Sequence, residues 1–331
     1  MTNEITKKTF KVSRGYTYTY YTASAQPGKP TLLLFHGWPD NAKLFFGLIN
    51  DFLIPEGYGA IALDMLGYDG TDKPEDYKEY NFISLTQDAA DILDNEGIET
   101  VISAGHDWGS TCSQRFYNLY PERVRGVIMI NVAYLAPCGR FDLKALKELQ
   151  AKLYGFSLLE YWDFFTAPDG AKILNEHLES VYCVIHGPPE TWRGTFCTPN
   201  GFRNFVVAGH TQPTETYATP EHMKAFIERM RRDRFDAPQC YYKAMVFGEQ
   251  DAANDVAAAK GTLQIKVPTL FWAGTKDMVC PVEAIKPSVD GGLLPYLTIK
   301  TAQEGHWALI AQPRKFGEDV VGWLKENCLT E

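Results

Sequence analysis

The sequence predicts an α/β protein built on a mostly parallel sheet, with a helical segment inserted into it. Three observations lead there. Apolar runs alternate with amphipathic helical stretches at both ends of the chain, the pattern of βαβ units. The runs in PTLLLFHGWP, GAIALDMLG, TVISAG and RGVIMINVAY are nearly all apolar, as in strands buried on both faces. Between about Pro137 and Gly248 no such run recurs.

TFKVSR and YTYTYYTAS are rich in β-formers and read as an opening hairpin. PTLLLF is the third strand. Asp40 or Asn41 can cap a following helix with Leu44, Phe45, Leu48, Ile49 and Phe52 on one stripe. GAIAL is the next strand, and SLTQDAADILDNEG a helix ending near Gly97. TVISAG leads through a tight turn into the helix CSQRFYNLY, stopped by Pro121. RGVIMI is the sixth strand, and the insert follows it. Within the insert, Leu143, Leu146, Leu149 and Leu153 mark one amphipathic helix; Met223, Phe226, Ile227 and Met230 mark another, begun by Thr219-Pro220. The run RMRRDRFD reads as a solvated helix face. VPTLFWAG and YLTIKT restore the strands, and Phe316, Val320, Trp323 and Leu324 form the stripe of a final helix. The expected division is a core of residues 1–136 and 249–331 with a helical cap of residues 137–248.

Composition narrows the function classes. With 331 residues, 45% hydrophobic and 22% charged, the chain is an ordinary globule. Its size buries about 75% of the unfolded surface, so a core needs no metal or disulfide. The net charge of −9 argues against nucleic acid or an anionic membrane as partner. MTNEITKKTF has no apolar signal region, and no apolar run reaches the ~18 residues of a membrane span. The 7 cysteines, an odd number without a C-x-x-C pair, fit free thiols in a reducing compartment, so a cytoplasmic location is expected. No cofactor and no metal are expected. Oligomeric state is not written in the sequence.

The chemistry concentrates in AGHDWGSTC, residues 104–112. A strand turning sharply into a helix between small residues is the shape of G-x-S-x-G, which displays a catalytic serine. Here Asp107 holds the display position, at a helix start where the dipole favours its anion. A carboxylate is a covalent nucleophile that needs no activating base. On a carbonyl it would give a mixed anhydride; on an sp³ carbon with a leaving group it gives an alkyl ester that water can cleave. The electrophile expected is therefore an epoxide or a carbon–halogen bond. Hydrolysis of the ester needs a base, and His306 in Gly305-His306-Trp307 suits it. Asp277, in AGTKDMVCP after a buried strand, would orient the imidazole; Asn131, after the sixth strand, is not an acid.

Taken together, His36-Gly37-Trp38-Pro39, Gly105-His106-Asp107-Trp108-Gly109, Asp277 and Gly305-His306-Trp307 resemble the α/β-hydrolase family, and within it the epoxide hydrolases, over nearly the whole chain. The order nucleophile, acid, histidine is that of the family. The elbow offers the N–H of Trp108 to an oxyanion, and the resemblance implies the N–H of Trp38 as the second donor, with Pro39 able to hold a cis bond. Epoxide hydrolases carry two cap tyrosines that hydrogen-bond the epoxide oxygen. Tyr161 in EYWDFF and Tyr242 in APQCYYK look like these two, among 18 tyrosines that include the nearby Tyr154 and Tyr241. His36, Pro39 and Trp162 are expected to line the substrate pocket.

The function implied is hydrolysis of a lipophilic epoxide to a vicinal diol through an Asp107 ester, with substrate and water as the only partners. A haloalkane or haloacid dehalogenase would share Asp107, His306 and Asp277. Haloacetate dehalogenases favour arginine after the nucleophile, where Trp108 stands; haloalkane dehalogenases use tryptophan there, and Trp162 could be the second halide donor. The tyrosine pair favours epoxides. A third expectation, from another class, is a non-catalytic small-molecule binder on the same scaffold.

Overall fold

The computed structural model describes residues 4–137 and 139–327. Eight strands form one sheet: β1 (Thr6–Lys11), β2 (Thr17–Ala23), β3 (Thr31–Phe35), β4 (Gly59–Leu63), β5 (Val101–His106), β6 (Val124–Ile130), β7 (Thr269–Gly274) and β8 (Leu297–Ala302). Their order is β1-β2-β4-β3-β5-β6-β7-β8. β1 and β2 pair antiparallel, β2 joins β4 antiparallel, and every pairing from β4 to β8 is parallel.

The unbroken apolar runs follow from this topology. Leu33, Phe35, Val127, Met129 and Phe271 enter the core on one face of the sheet. Leu32, Leu34, Ile128, Ile130, Leu270 and Trp272 enter the core on the other. Successive side chains point to opposite faces, so a strand covered on both sides is apolar at nearly every position, and a polar exception such as Ser103 is hydrogen-bonded.

After β3 the chain moves to β4 on one side and then returns to β5 on the other. Such a reversal opens a crevice outside the carboxyl ends of the strands. The loops after β3, β5, β7 and β8 all emerge there.

Between β6 and β7 every element among the described residues is helical. The Leu143–Tyr154 helix is capped by Asp142, and the Pro220–Asp233 helix by the Thr219 side chain on His222 N–H. The helices Tyr161–Thr166 and Cys240–Val246 pack on each other. Among the described residues no helix is long and apolar enough to cross a membrane. Cys112, Cys183, Cys197, Cys240 and Cys280 carry free thiols. Cys138 and Cys328 lie outside the described residues.

Two expectations are corrected. The stretch after Asn41 is a chain of short 3₁₀, α and π turns from Ala42 to Glu56, closed by Gly57 at φ 82°, and not one regular helix. Pro55 withholds an N–H at its end. The run RMRRDRFD is not wholly solvated. Arg229 turns inward and donates to the carbonyls of Pro39 at 2.7 Å and Asp40 at 3.3 Å.

Candidate active site

β3 and β5 are neighbours in register, with Leu34 opposite Ala104 and Phe35 opposite Gly105. The loop His36–Pro39 and the turn at Asp107 therefore leave the sheet side by side. Their approach requires glycine: a Cβ on Gly109 would overlap the Phe35 carbonyl, and one on Gly37 would overlap the Asp107 side chain. Asp107 sits at φ 54°, ψ −124°, a conformation that costs of order 1–3 kcal/mol for a residue with a side chain. Ser110 anchors the helix Trp108–Leu119 by donating to the Val132 carbonyl at 2.7 Å.

The two carboxylate oxygens of Asp107 have different surroundings. Oδ1 accepts the backbone N–H of Trp38 at 2.7 Å. Oδ2 stands 3.5 Å from His306 Nε2. His306 Nδ1 faces Asp277 Oδ2 at 2.6 Å. Asp277 also accepts Asn131 Nδ2 at 2.8 Å and, on Oδ1, the N–H groups of Val279 and Cys280 at 3.0 Å each. Burial opposes charge on His306, but Asp277 and then Asp107 outweigh it and raise the imidazole well above its usual range. Burial likewise opposes charge on Asp277, and His306 and Asn131 hold it below the carboxylate range. The arrangement is a carboxylate, an imidazole and a second carboxylate in line, the geometry of a nucleophile with a tethered base.

Tyr161 and Tyr242 project from their packed helices with ring centroids 6.0 Å apart. Burial raises both phenols well above their usual range, and the Asp107 charge adds to it. Both therefore stay protonated and able to donate. They share with Asp107, Trp38 and His306 a cavity of about 10 Å³, room for one water. The competing Tyr241 spends its hydroxyl on the Leu66 carbonyl at 3.0 Å, and Tyr154 lies exposed at the rim of the insert. A second cavity of about 310 Å³ is lined by Asp107, Trp108 and Trp162 and by Leu149 and Leu153, which are exposed to solvent.

Trp38 lines the small cavity and Trp162 the larger one; His36 and Pro39, expected in the pocket, line neither. The His36 ring is fully buried behind the loop with both nitrogens engaged by backbone. Pro39 is buried, and its carbonyl is taken by Arg229. The Trp38–Pro39 bond is cis.

Sequence reasoning passed over several residues that meet here. Asn131, set aside as a non-acid, steadies Asp277; its place at the carboxyl end of β6 was the available signal. Cys280 lies against His306, its thiol pushed up to about 12 by burial. Trp192 stacks on Phe196 at 4.0 Å and covers His306 from the insert. Asp277, Cys280 and His306 place three ligand-type atoms within 4.8 Å of one another. The hydrogen bond between Asp277 and His306 already occupies two of those groups.

A sequence model described as the alpha/beta hydrolase fold matches residues 30–179. The chain is 23% identical over 305 residues to bifunctional epoxide hydrolase 2 of Sus scrofa, covering 90% of this chain and 52% of that protein. It spans about half the length of that relative. With epoxide hydrolase A of Mycobacterium tuberculosis it shares 25% identity over 298 residues, 88% of each chain. The crystal structure of epoxide hydrolase A from Mycobacterium thermoresistibile superposes with a TM-score of 0.80 at 22% identity, over 99% of both chains.

Proposed function

The chain has the α/β-hydrolase fold, and from that premise we propose that it hydrolyses a lipophilic epoxide to a vicinal diol through an ester on Asp107. One observation carries the reading: two protonated, buried phenols face the same small cavity as Asp107 and His306. An epoxide oxygen needs a proton as its ring opens, and a halide leaves without one.

The epoxide oxygen accepts from Tyr161 and Tyr242. Asp107 Oδ2 attacks a ring carbon in line with the breaking C–O bond, while Oδ1 stays on the Trp38 N–H. The opened oxygen takes a phenol proton, and the His306 imidazolium restores the phenol. Forming the ester removes the Asp107 charge that helped hold the proton on His306, so the imidazole is now a base. It takes a proton from water, whose oxygen adds to the Asp107 carbonyl carbon. Oδ1 becomes the oxyanion, stabilised by the N–H groups of Trp38 and Trp108. Collapse expels the diol oxygen, which takes the proton from His306. The Asp107 acid then returns its own proton to His306, restoring the starting pair.

Residues 137–248 act in this reading as the lid that carries both tyrosines. The larger cavity is walled mostly by apolar and aromatic side chains, among them the exposed Leu135, Leu149 and Leu153, which suits a lipophilic substrate. A dehalogenase reading keeps one observation: Trp162 Nε1 is buried without a hydrogen-bond partner beside Trp108.

A panel of aryl and alkyl epoxides beside haloalkanes, scored for diol and for halide, separates the two. Diol from epoxides with no halide released is expected. Halide release with inert epoxides would reverse the assignment.

A further inference from the structure

His36 is buried, lines neither of the two cavities at Asp107, and has no part in the mechanism above. Its two ring nitrogens nonetheless have assigned roles. Met65 N–H donates to Nε2 at 3.0 Å, so Nε2 carries a lone pair. Nδ1 lies 2.9 Å from the Gly37 carbonyl oxygen, which can only accept, so Nδ1 carries the hydrogen. Only the neutral Nδ1–H tautomer satisfies both contacts. Burial holds the ring far below the usual histidine range, at about 3.

The Gly37 carbonyl belongs to the same peptide group as the Trp38 N–H. That N–H is the donor to Asp107 Oδ1. The same carbonyl accepts a second bond, from Asp40 N–H at 2.9 Å. A peptide whose oxygen accepts hydrogen bonds is polarised, and its N–H becomes a stronger donor.

We infer that His36 is a positioning residue that, as its neutral Nδ1–H tautomer, polarises the Gly37–Trp38 peptide and strengthens the oxyanion donor at Asp107. The inference rests on the ester mechanism proposed above. It gives the two chemical steps opposite signs. A stronger Trp38 donor stabilises the Asp107 carboxylate before attack, and that charge is lost as the ester forms. In hydrolysis the charge develops on Oδ1, and the same donor lowers the barrier. His36 therefore speeds ester hydrolysis and does not speed ester formation.

Two substitutions separate this role from simple packing. His36→Asn keeps an N–H near the Nδ1 position and loses the acceptor for Met65. His36→Gln keeps an acceptor near Nε2 and loses the donor to Gly37. Each removes one buried hydrogen bond, so a purely structural role predicts equal effects. Ester formation and ester hydrolysis are followed separately by rapid acid quench and intact-protein mass, with styrene oxide in single turnover.

The expected result is hydrolysis slowed roughly 2- to 8-fold in His36→Gln, the share that polarisation of one bond adds to an oxyanion donor. Ester formation in that variant is not slowed, and His36→Asn hydrolyses within about 2-fold of wild type. Equal rates in the two variants, or both steps falling together, would overturn the inference alone. A wild type that never forms an ester overturns the mechanism and this inference with it. If neither variant folds, ¹⁵N shifts of His36 in the wild type decide: a protonated Nδ1 and bare Nε2, unchanged from pH 8 to 5, are expected. The opposite tautomer, or a ring that titrates in that range, refutes it.

Discussion

Arg229, on a helix of the insert, donates to the Pro39 carbonyl oxygen across 2.7 Å. Pro39 follows Trp38, whose N–H holds Asp107, so one guanidinium ties the helical insert to the loop that holds Asp107. Burial lowers the Arg229 pKa from its usual value, partly offset by Asp40 and Asp69. Hydrogen bonds to charged groups are worth about 1.5–3 kcal/mol each, and here two carbonyls would be left without their donor. Arg229→Met should destabilise the fold by about 1.5–3 kcal/mol or more, read as a lower melting temperature, and reduce kcat more than it changes KM. Thermal denaturation and steady-state kinetics check this. A variant equal to wild type in both would mean that the insert and the loop are not coupled through this contact.

Asp107 is strained where it stands, at φ 54°. Glycine adopts that region at no steric penalty. Asp107→Gly should therefore abolish turnover while leaving the melting temperature equal to wild type or higher by the equivalent of about 1 kcal/mol. Residual activity above a few per cent would remove the covalent mechanism.

Tyr161→Phe and Tyr242→Phe should each lower epoxide opening by roughly 10- to 10³-fold, the range for a lost acid or oxyanion donor. The rings pack among aromatics, Tyr161 with Phe165 and Phe196 and Tyr242 with Trp108, so phenylalanine preserves the walls. Tyr241→Phe should instead reduce stability, because the Tyr241 hydroxyl serves the Leu66 carbonyl. The three melting curves and three rates together test the assignment. Two silent changes at Tyr161 and Tyr242 would transfer the donor role elsewhere.

Strands β3 to β7 were legible because they are buried on both faces, and burial writes a nearly unbroken apolar run into the sequence; the edge strands β1 and β8 are largely exposed or half-buried and carry no such run. The elbow was legible because its close approaches admit only small residues at Gly105 and Gly109. His36 was misplaced for a physical reason. His36 and Trp38 lie two residues apart in the loop beyond β3, where strand alternation no longer decides which way a side chain points. His36 turned to the backbone of Met65, while Trp38 turned to the cavity. Arg229 was misread because a charge run has no periodic signal for the one member that finds buried carbonyls. Asn131 was weighed only as an acid, and its amide proved to be a donor to the acid.

The His306–Asp277 pair sets a pH dependence of stability. His306 is held above its ordinary value, so its contribution is complete below about 6.5 and is lost as pH rises through the raised value. Asp277 is held below its ordinary value, so its contribution is complete above about 3.9 and is lost as pH falls through the lowered value. The stability gap between wild type and Asp277→Asn should be widest between roughly pH 4 and 6.5 and should shrink on going alkaline. Thermal melts of both proteins across pH 4–10 measure it. A gap that widens toward alkaline pH would contradict the raised His306.

The order of events is tested by removing the base. If Asp107 attacks first and His306 acts second, His306→Gln should complete step one and stop before step two. Given an epoxide, the variant should accumulate an alkyl ester, and its intact mass should rise by the full substrate mass, because ring opening expels nothing. A haloalkane would add its mass less HX. Peptide mapping should place the adduct on the segment containing Asp107. Wild type in ¹⁸O water gives an independent check. In a single turnover, water adds at the Asp107 carbonyl carbon, so the heavy oxygen should enter that carboxylate and the diol should stay light. Direct attack by His306-activated water on the epoxide would put the label into the diol and leave no adduct in the variant. Asp107 would then merely orient His306, and the 3.5 Å between Oδ2 and Nε2 would be an ordinary ion-pair contact.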